Sequence, residues 1–246
     1  MMQIMYDHDW QVDVSCAKEL QRQLSHRLII CPFENELRYI AAVDVSYHRQ
    51  AKMGFAVVGL FKVQWDSVTR KYKLLSEDYL QYCGAVNFPY IPGYLSFREI
   101  PLLLPILKQV KSSPDVILVD GAGVAHPRSF GIASHLGVIL DKPTIGCAKS
   151  RLCGEYQEPA AEAGSCSDLM LNGTKIGTVL RSRSDVHPLF ISPGHRCDYA
   201  SACGIILSFC EQYRIPEPIR RVDRISKQLR QEYMIKEGNY YEKALS

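Results

Sequence analysis

The stretch PDVILVDGAG, residues 114–123, decides the fold class of this 246-residue chain. Its centre, VILV, is a short continuous apolar run that ends at Asp120 and two glycines. Such a run is typical of a strand buried on both faces, as in a parallel sheet that helices cover on both sides. A second run of this kind, TIGCA at residues 144–148, follows a helical pattern at residues 129–140. The two runs predict parallel strands joined by a crossover helix.

The chain before this stretch follows a different pattern. Three β-branched and aromatic runs, residues 37–47, 54–65 and 71–82, are separated by short polar links. This spacing predicts an antiparallel meander. The residues that follow, 96–112, have helical spacing and begin with Ser96 and Glu99, which predict a capping box.

The chain after the parallel strands adds a hairpin, a strand and two helices. Asn172–Gly173 lies between alternating runs and predicts the hairpin. Residues 187–195, HPLFISPGH, predict a short strand that ends in a Pro–Gly turn, and residues 198–213 and 217–233 predict helices. We therefore expect a single α/β domain over residues 1–246, with a mixed sheet flanked by helices and a variable exposed loop near 154–167.

Composition excludes several classes of protein. Hydrophobic residues make up 47% of the chain, but no stretch approaches the roughly 20 apolar residues that span a bilayer. The net charge of +3 is only weak support for nucleic-acid binding, because phosphate affinity depends on where the basic residues cluster. The nine cysteines form no CxxC pair, and the N-terminus lacks the features of a signal peptide. We expect reduced thiols and a cytoplasmic location.

Three carboxylates stand where packing alone would not put them. Asp44 interrupts an apolar strand, Asp120 ends a buried strand, and Glu99 lies at a helix start. A buried carboxylate is costly unless it is paired, protonated or bound to a cation. Acids at these places can converge, and hard divalent cations prefer oxygen ligands. Helix capping explains Glu99 equally well.

Three positively chargeable residues follow the acids. His126, Lys149 and His195 each come just after a predicted strand, so all three can gather at one end of the sheet. A solvated loop position explains Lys149 equally well, and His135, inside a predicted helix, is interpreted as structural.

The segment NFPYIPG, residues 87–93, combines two prolines with an aromatic and an aliphatic residue. Pro89 and Pro92 restrict the backbone around Tyr90 and Ile91. In nucleic-acid enzymes, apolar wedges of this type enter a base step and stabilise an extruded nucleotide. A proline turn whose tyrosine packs on its own core is the structural alternative.

Five strings, taken in order, resemble endonuclease V from Arg38 to about Arg221. They are VDVSY, PYIPGYLSFRE, VDGAGVAHPRSFGIASHLGV, PTIGCAKSRLCGEY and PLFISPGHR. The resemblance implies a ribonuclease H-like fold and a Mg²⁺-dependent nuclease of DNA repair, in which Mn²⁺ can replace Mg²⁺. It also implies recognition of deoxyinosine in DNA and hydrolysis of the second phosphodiester bond 3′ to it, which leaves 5′-phosphate ends.

The resemblance also implies residue roles. Asp44 and Asp120 match metal ligands, with Glu99 supporting the metal through bound water. Tyr90, within the wedge Pro89, Tyr90, Ile91 and Pro92, matches the residue that fills the space left by the flipped base. His126, Lys149 and His195 match positions near the scissile phosphate, and either Glu99 or His195 orients the water. The positions that match the base pocket are Gly93, Leu95, Gly123, Gly131 and Ile132.

One departure and two alternatives accompany this resemblance. Ala122 stands where a polar residue is expected, which affects hydrogen bonding near Asp120. The first alternative is cleavage of inosine in RNA by the same site, and the second is a non-catalytic protein that binds lesions. The stiffened wedge favours duplex DNA, because a wedge is useful where a base must leave a stack. We expect a monomer whose partner is nucleic acid and not a membrane.

Overall fold

An eight-stranded mixed sheet forms the centre of the computed structural model, which describes residues 2–48, 50 and 52–244, with side chains described as far as residue 236. The strand order is β3-β2-β1-β4-β5-β8-β7-β6. The strands are β1 (Tyr39–His48), β2 (Met53–Asp66), β3 (Lys71–Ala85), β4 (Val116–Val119), β5 (Thr144–Ala148), β6 (Cys166–Leu171), β7 (Thr174–Leu180) and β8 (Leu189–His195). The helices are α1 (Val14–Ser25), α2 (Leu95–Leu107), α3 (Ile132–Leu140), α4 (Tyr199–Ser208) and α5 (Glu217–Ala244).

The pairing of the strands confirms the predicted mixed sheet. β1, β2 and β3 form the antiparallel meander, while β1, β4 and β5 run parallel. β8 then pairs antiparallel with β5, and the hairpin of β6 and β7 completes that edge. The hairpin turn falls at Asn172 and Gly173, both with positive φ, as the Asn–Gly pair predicts.

The alternation of side chains along β1 separates two apolar layers. Ile40 and Ala42 belong to the cluster that includes residues of α4 and α5. Ala41 and Val43 belong to the cluster that includes residues of α2 and α3. Because successive side chains of a strand point to opposite faces, each face of the sheet is covered by its own pair of helices.

Two local predictions are wrong. Tyr94 occupies the N-cap position of α2, and Ser96 lies inside the helix with its Oγ buried and unpaired, so Ser96 and Glu99 form no capping box. The predicted Pro193–Gly194 turn is part of β8, beside a register shift. A Cβ on Gly194 would lie 2.7 Å from the Ala133 carbonyl oxygen, so this glycine permits close packing against α3 instead of a chain reversal.

The segment near residues 154–167 is irregular up to Cys166, where β6 begins. The buried guanidinium of Arg181 donates hydrogen bonds to the carbonyl oxygens of Pro159 and Ala160 and pairs with Glu158 at 2.6 Å. No helix among the described residues has both the length and the apolarity needed to cross a membrane.

Candidate active site

Three aspartates from three different elements converge at the edge of the α5 layer. Asp44 shares the α5-facing side of β1 with Ile40 and Ala42, because it follows them at even spacing. Asp120 directly follows β4, and Asp223 lies on α5. One carboxylate oxygen from each of the three lies within 4.8 Å of the other two. We call Asp44, Asp120 and Asp223 the acidic cluster.

Hydrogen bonds between β1 and α5 set this arrangement. The Oγ of Ser226, one helical turn after Asp223, donates to Oδ2 of Asp44. The Oγ of Ser46 donates to the backbone oxygen of Ser226 at 2.6 Å. Since Ser226 is fully buried, these bonds fix the rotation of α5 and thereby direct Asp223 toward Asp44.

Lys149 places a positive charge on the acidic cluster. Its Nζ lies 2.5 Å from Oδ2 of Asp120 and 2.8 Å from Oδ1 of Asp223. The lysine follows β5, and its backbone oxygen accepts a hydrogen bond of 2.7 Å from Arg214 Nη2. Lys227, one turn after Asp223 on α5, pairs with the second oxygen of Asp223 at 2.6 Å.

Burial and neighbouring charges shift the pKa values of the acidic cluster in different directions. Burial, reinforced by the charge of Asp120, raises the pKa of Asp44 to about 6. Burial also raises the pKa of Asp120, although Lys149 opposes the change. Burial acts to raise the pKa of Asp223 as well, but Lys149 and Lys227 outweigh it, and the pKa is lowered. Burial acts to lower the pKa of Lys149, but its two ion pairs outweigh this and raise it.

Glu99 lies next to the acidic cluster but outside it. The side chain is buried on α2. Burial and then the charge of Asp44 raise its pKa well above the ordinary value, while Tyr47 and Arg98 act in the opposite direction. Like the pKa of Asp44, the pKa of Glu99 is raised by burial and by neighbouring negative charge.

The donor set of the acidic cluster fits a hard divalent cation. Three carboxylates present only oxygen ligands, which Mg²⁺ and Mn²⁺ prefer. The ammonium group of Lys149 on two of these carboxylates shows that the site attracts positive charge. Asp44, Asp120 and Asp223 are therefore the residues that would hold a cation, and Glu99 stays a predicted water-mediated contributor.

The wedge segment, residues 89–92, forms an exposed tip. The side chain of Tyr90 is 77% exposed, so it does not pack on the core. Behind the tip, Ile91 to Tyr94 form a β-turn in which Tyr94 N donates to Ile91 O at 3.1 Å. Gly93, with φ of 83°, occupies the third position of this turn after Pro92, as a type II turn requires.

A mainly apolar pocket of about 130 Å³ lies below the tip. Four of the five predicted pocket positions line it, namely Gly93, Leu95, Gly131 and Ile132, and so do Gln21, Ser96, Arg98, Ala122 and His126. Gly123 is the exception: its N donates to Ser192 Oγ at 2.8 Å, and a Cβ there would lie 2.0 Å from the Pro193 oxygen. The absence of a side chain lets Gly123 pack closely against β8, and this residue does not line the cavity.

His126 belongs to the pocket wall. Its Nε2 lies 2.9 Å from the Gly93 oxygen, and its Nδ1 accepts from the Arg128 backbone N at 3.1 Å. Burial lowers the pKa of His126 to about 4, so the ring is neutral near pH 7. Both ring nitrogens already make hydrogen bonds within the protein, so neither is free for the predicted contact with the scissile phosphate.

The structure contradicts the predicted role of His195. The residue ends β8, which runs antiparallel to β5, and it pairs with Thr144 at the start of β5. Lys149 follows the other end of β5, about 13 Å or more away at roughly 3.3 Å per residue. The buried His195 ring lies 3.1 Å from Asp141 Oδ1 and accepts from the backbone N of Ile29 at 3.3 Å. It therefore fixes these segments and does not orient water at the acidic cluster.

The chain is similar to known proteins of one family. Residues 22–224 match the sequence model of a family described as Endonuclease V. The endonuclease V of Dehalococcoides mccartyi (strain CBDB1) is 45% identical over 222 residues, which cover 90% of this chain and 96% of that protein. The crystal structure of endonuclease V from Streptomyces avermitilis is 36% identical, with a TM-score of 0.81 and coverage of 92% of this chain and 96% of that one.

A third similar structure contains nucleic acid. It is endonuclease V of Ciona intestinalis in complex with a 24mer DNA containing an inosine followed by a ribo-adenosine. The TM-score is 0.73 at 24% identity, with coverage of 89% of this chain and 98% of that one, so this likeness concerns the fold alone. The Streptomyces avermitilis structure confirms the predicted fold class, an α/β mixed sheet flanked by helices.

Proposed function

Because this chain belongs to the endonuclease V family, we propose that it is a Mg²⁺-dependent endodeoxyribonuclease that recognises deoxyinosine in DNA. It hydrolyses the second phosphodiester bond 3′ to the lesion and leaves 3′-hydroxyl and 5′-phosphate ends. Its role is in DNA repair in the cytoplasm, as a monomeric single-domain protein. The observation that carries the proposal is the convergence of Asp44, Asp120 and Asp223 beside a pocket with an exposed wedge.

The acidic cluster and the pocket are joined by short stretches of chain. Ala122, which lines the pocket, is two residues from Asp120 of the cluster. Arg98, which also lines the pocket, directly precedes Glu99, whose pKa responds to the charges of Asp44 and Asp120. A base held in the pocket therefore brings its own strand close to the carboxylates.

The pocket suits a flat base that has left the helix. Its wall is mostly apolar, and Gly93 and Gly131 form part of it. A base in a duplex must be unstacked before it can enter such a site, which costs a few kcal/mol. The exposed ring of Tyr90, between Pro89 and Pro92, is available to fill the space that the base leaves.

The chemistry needs a bound divalent cation and protein groups with three roles. A bound Mg²⁺ supplies Lewis acidity at the phosphate and stabilises charge on the leaving 3′ oxygen. Asp44, Asp120 and Asp223 would hold it, and the ammonium group of Lys149 would offset negative charge on the phosphate. Glu99 orients the attacking water, since His195 lies at the far end of β5.

Cleavage of a labelled duplex with one deoxyinosine tests the proposal directly. In Mg²⁺ or Mn²⁺ we expect a single nick, at the second phosphodiester bond 3′ to the lesion. In EDTA we expect none. An unmodified duplex is the matched control. Tight binding without nicking in either metal would favour the non-catalytic alternative, and much faster cutting of inosine-containing RNA at equal concentration would move the substrate from DNA to RNA.

A further inference from the structure

The carbonyl oxygen of Gly93, at the mouth of the pocket, accepts three hydrogen bonds. The donors are Arg128 Nη2 at 2.6 Å, His126 Nε2 at 2.9 Å and Gln21 Nε2 at 3.1 Å. A carbonyl oxygen has two lone pairs, and most accept one or two bonds. Three donors on one oxygen hold the peptide between Gly93 and Tyr94 in a single orientation.

Gln21 differs from the other two donors because it also binds the opposite wall. Its amide nitrogen donates a second hydrogen bond of 3.1 Å to the Phe130 oxygen, one residue before Gly131. Its Oε1 accepts from Arg128 Nε at 2.7 Å. Gln21 is 1% exposed and lines the pocket itself. Every hydrogen-bonding atom of its amide is therefore used, and the amide spans the two backbone segments between which the base must fit.

The helix that carries Gln21 is fixed against the same region. Ala17 of α1 is fully buried in an apolar cluster with Phe88, Tyr94 and Phe97. The guanidinium of Arg128 stacks on the Tyr94 ring at 4.2 Å from its centroid. Any change in the distance between the two walls would leave the buried amide of Gln21 or the partly buried guanidinium of Arg128 without a partner, which is costly.

We infer that Gln21 is a positioning residue for base recognition, a strut from α1 that sets the separation of the Gly93 and Gly131 walls of the pocket. The inference rests on the proposed function for its readout in substrate binding. It assigns α1 to the recognition site, although Gln21 precedes residue 22, where the match to the family begins. The acidic cluster is not in contact with Gln21, so the strut acts on binding of the base and leaves the chemical step alone.

The test replaces Gln21 with methionine, which keeps the volume and removes the amide, and with glutamate, which keeps an acceptor for Arg128 but faces two carbonyl oxygens. Gln23→Met is the control from the same helix, because Gln23 is exposed and its amide nitrogen donates to Glu19 within that helix. On inosine-containing duplex, Q21M and Q21E are expected to raise KM about tenfold with kcat within about twofold. A loss of folded protein would instead lower kcat and leave KM unchanged.

Amide hydrogen exchange of the free protein tests the strut without any substrate. Residues 91–97 and 129–135 are expected to exchange faster in Q21M than in the parent, and at the parental rate in Q23M. If the parent cuts no inosine substrate, the proposed function fails and the exchange result alone decides the strut. Parental KM in Q21M, or parental exchange at both walls, would overturn the inference.

Discussion

Lys149 Nζ lies 2.8 Å from Asp223 Oδ1, which joins the residue after β5 to the second turn of α5. The same Nζ lies 2.5 Å from Asp120. A single ammonium group thus spans two members of the acidic cluster that are 103 residues apart in the chain, from position 120 to position 223. This ion-pair network identifies Asp223 as part of the site and Lys149 as the group that a bound cation must compete with.

Asp223→Asn is expected to reduce nicking of deoxyinosine DNA at least about 100-fold. The amide keeps the size of the side chain but removes the charge that helps to hold the cation. Binding of the lesion duplex in EDTA should stay close to that of the parent, because the pocket is untouched. Gel assays of nicking and of binding give the two readouts, and Asp120→Ala should behave in the same way.

Asp168→Asn is the matched control for Asp223→Asn. Asp168 lies on β6, and its side chain is 57% exposed in an ion pair with Lys175. This variant should nick at the parental rate. Parental nicking by Asp223→Asn at equal Mg²⁺ would remove that residue from the site.

Lys149→Met is expected to lower kcat about 100-fold while the Mg²⁺ concentration for half-maximal rate falls. The ammonium group stabilises charge at the phosphate, so its loss slows the reaction. The same group neutralises oxygens that the cation needs, so its loss strengthens cation binding. Titration of Mg²⁺ at saturating substrate separates the two effects.

Lys227→Met is the contrasting variant, since Lys227 is 52% exposed and its ion pair among the described residues is with Asp223. Exposed pairs contribute little, so its rate should stay within about threefold of the parent. Equal rates for Lys149→Met and the parent would show that Lys149 is only an ion-pair partner.

The sequence predicts the sheet well because its signals are local. Apolar runs, their lengths and the Asn172–Gly173 turn determine the strands, and the observed meander and parallel strands agree with them. Asp44 and Asp120 are recognisable because an acid inside or at the end of an apolar strand has no local purpose. The exposed tip is recognisable because Pro89 and Pro92, on either side of Tyr90, disfavour a helix or an inner strand at this position.

What the sequence misses depends on long-range packing. Asp223 lies on a helix rich in charge, where an acid normally faces solvent. The hydrogen bonds of Ser226 with Asp44 and Ser46 direct it inward. The prediction for His195 is wrong because the sequence of a strand does not indicate its direction in the sheet. β8 runs antiparallel to β5, so His195 lies beside the first residue of β5. Gln21 gives no signal, since its partners are backbone oxygens of distant segments.

Tyr90→Ala is expected to raise KM for deoxyinosine duplex about tenfold or more and to leave the Mg²⁺ dependence unchanged. The exposed ring contributes stacking of about 1–3 kcal/mol in the space that the base vacates. The melting temperature of the protein should not change, because the side chain is 77% exposed. Steady-state kinetics and thermal melting check both statements.

Tyr213→Ala is the control for the tip, since Tyr213 is also a solvent-exposed tyrosine, 48% exposed, but lies near α5 and far from residue 90 in sequence. It should bind and cut like the parent. Parental KM for Tyr90→Ala on duplex DNA would mean that no wedge operates. A defect on duplex that disappears on single-stranded DNA would agree with a role in unstacking.

In the absence of divalent cations, the contribution of Asp44 to stability should fall as pH rises from about 4 to about 6, and Asp44→Asn should remove this contribution. Burial raises the pKa of Asp44 from 3.8 to about 6 in the folded state, so the folded protein binds the extra proton between these values. Stability decreases with pH wherever the folded state binds more protons than the unfolded state. Melting temperatures of Asp44→Asn and the parent in EDTA, at pH 5 and pH 8, should therefore diverge toward higher pH. Mg²⁺ should raise the parental melting temperature more at pH 8, where the carboxylates are ionised, than at pH 5. A pH-independent difference between the two proteins would contradict the buried, charge-rich environment from which the cation site is argued.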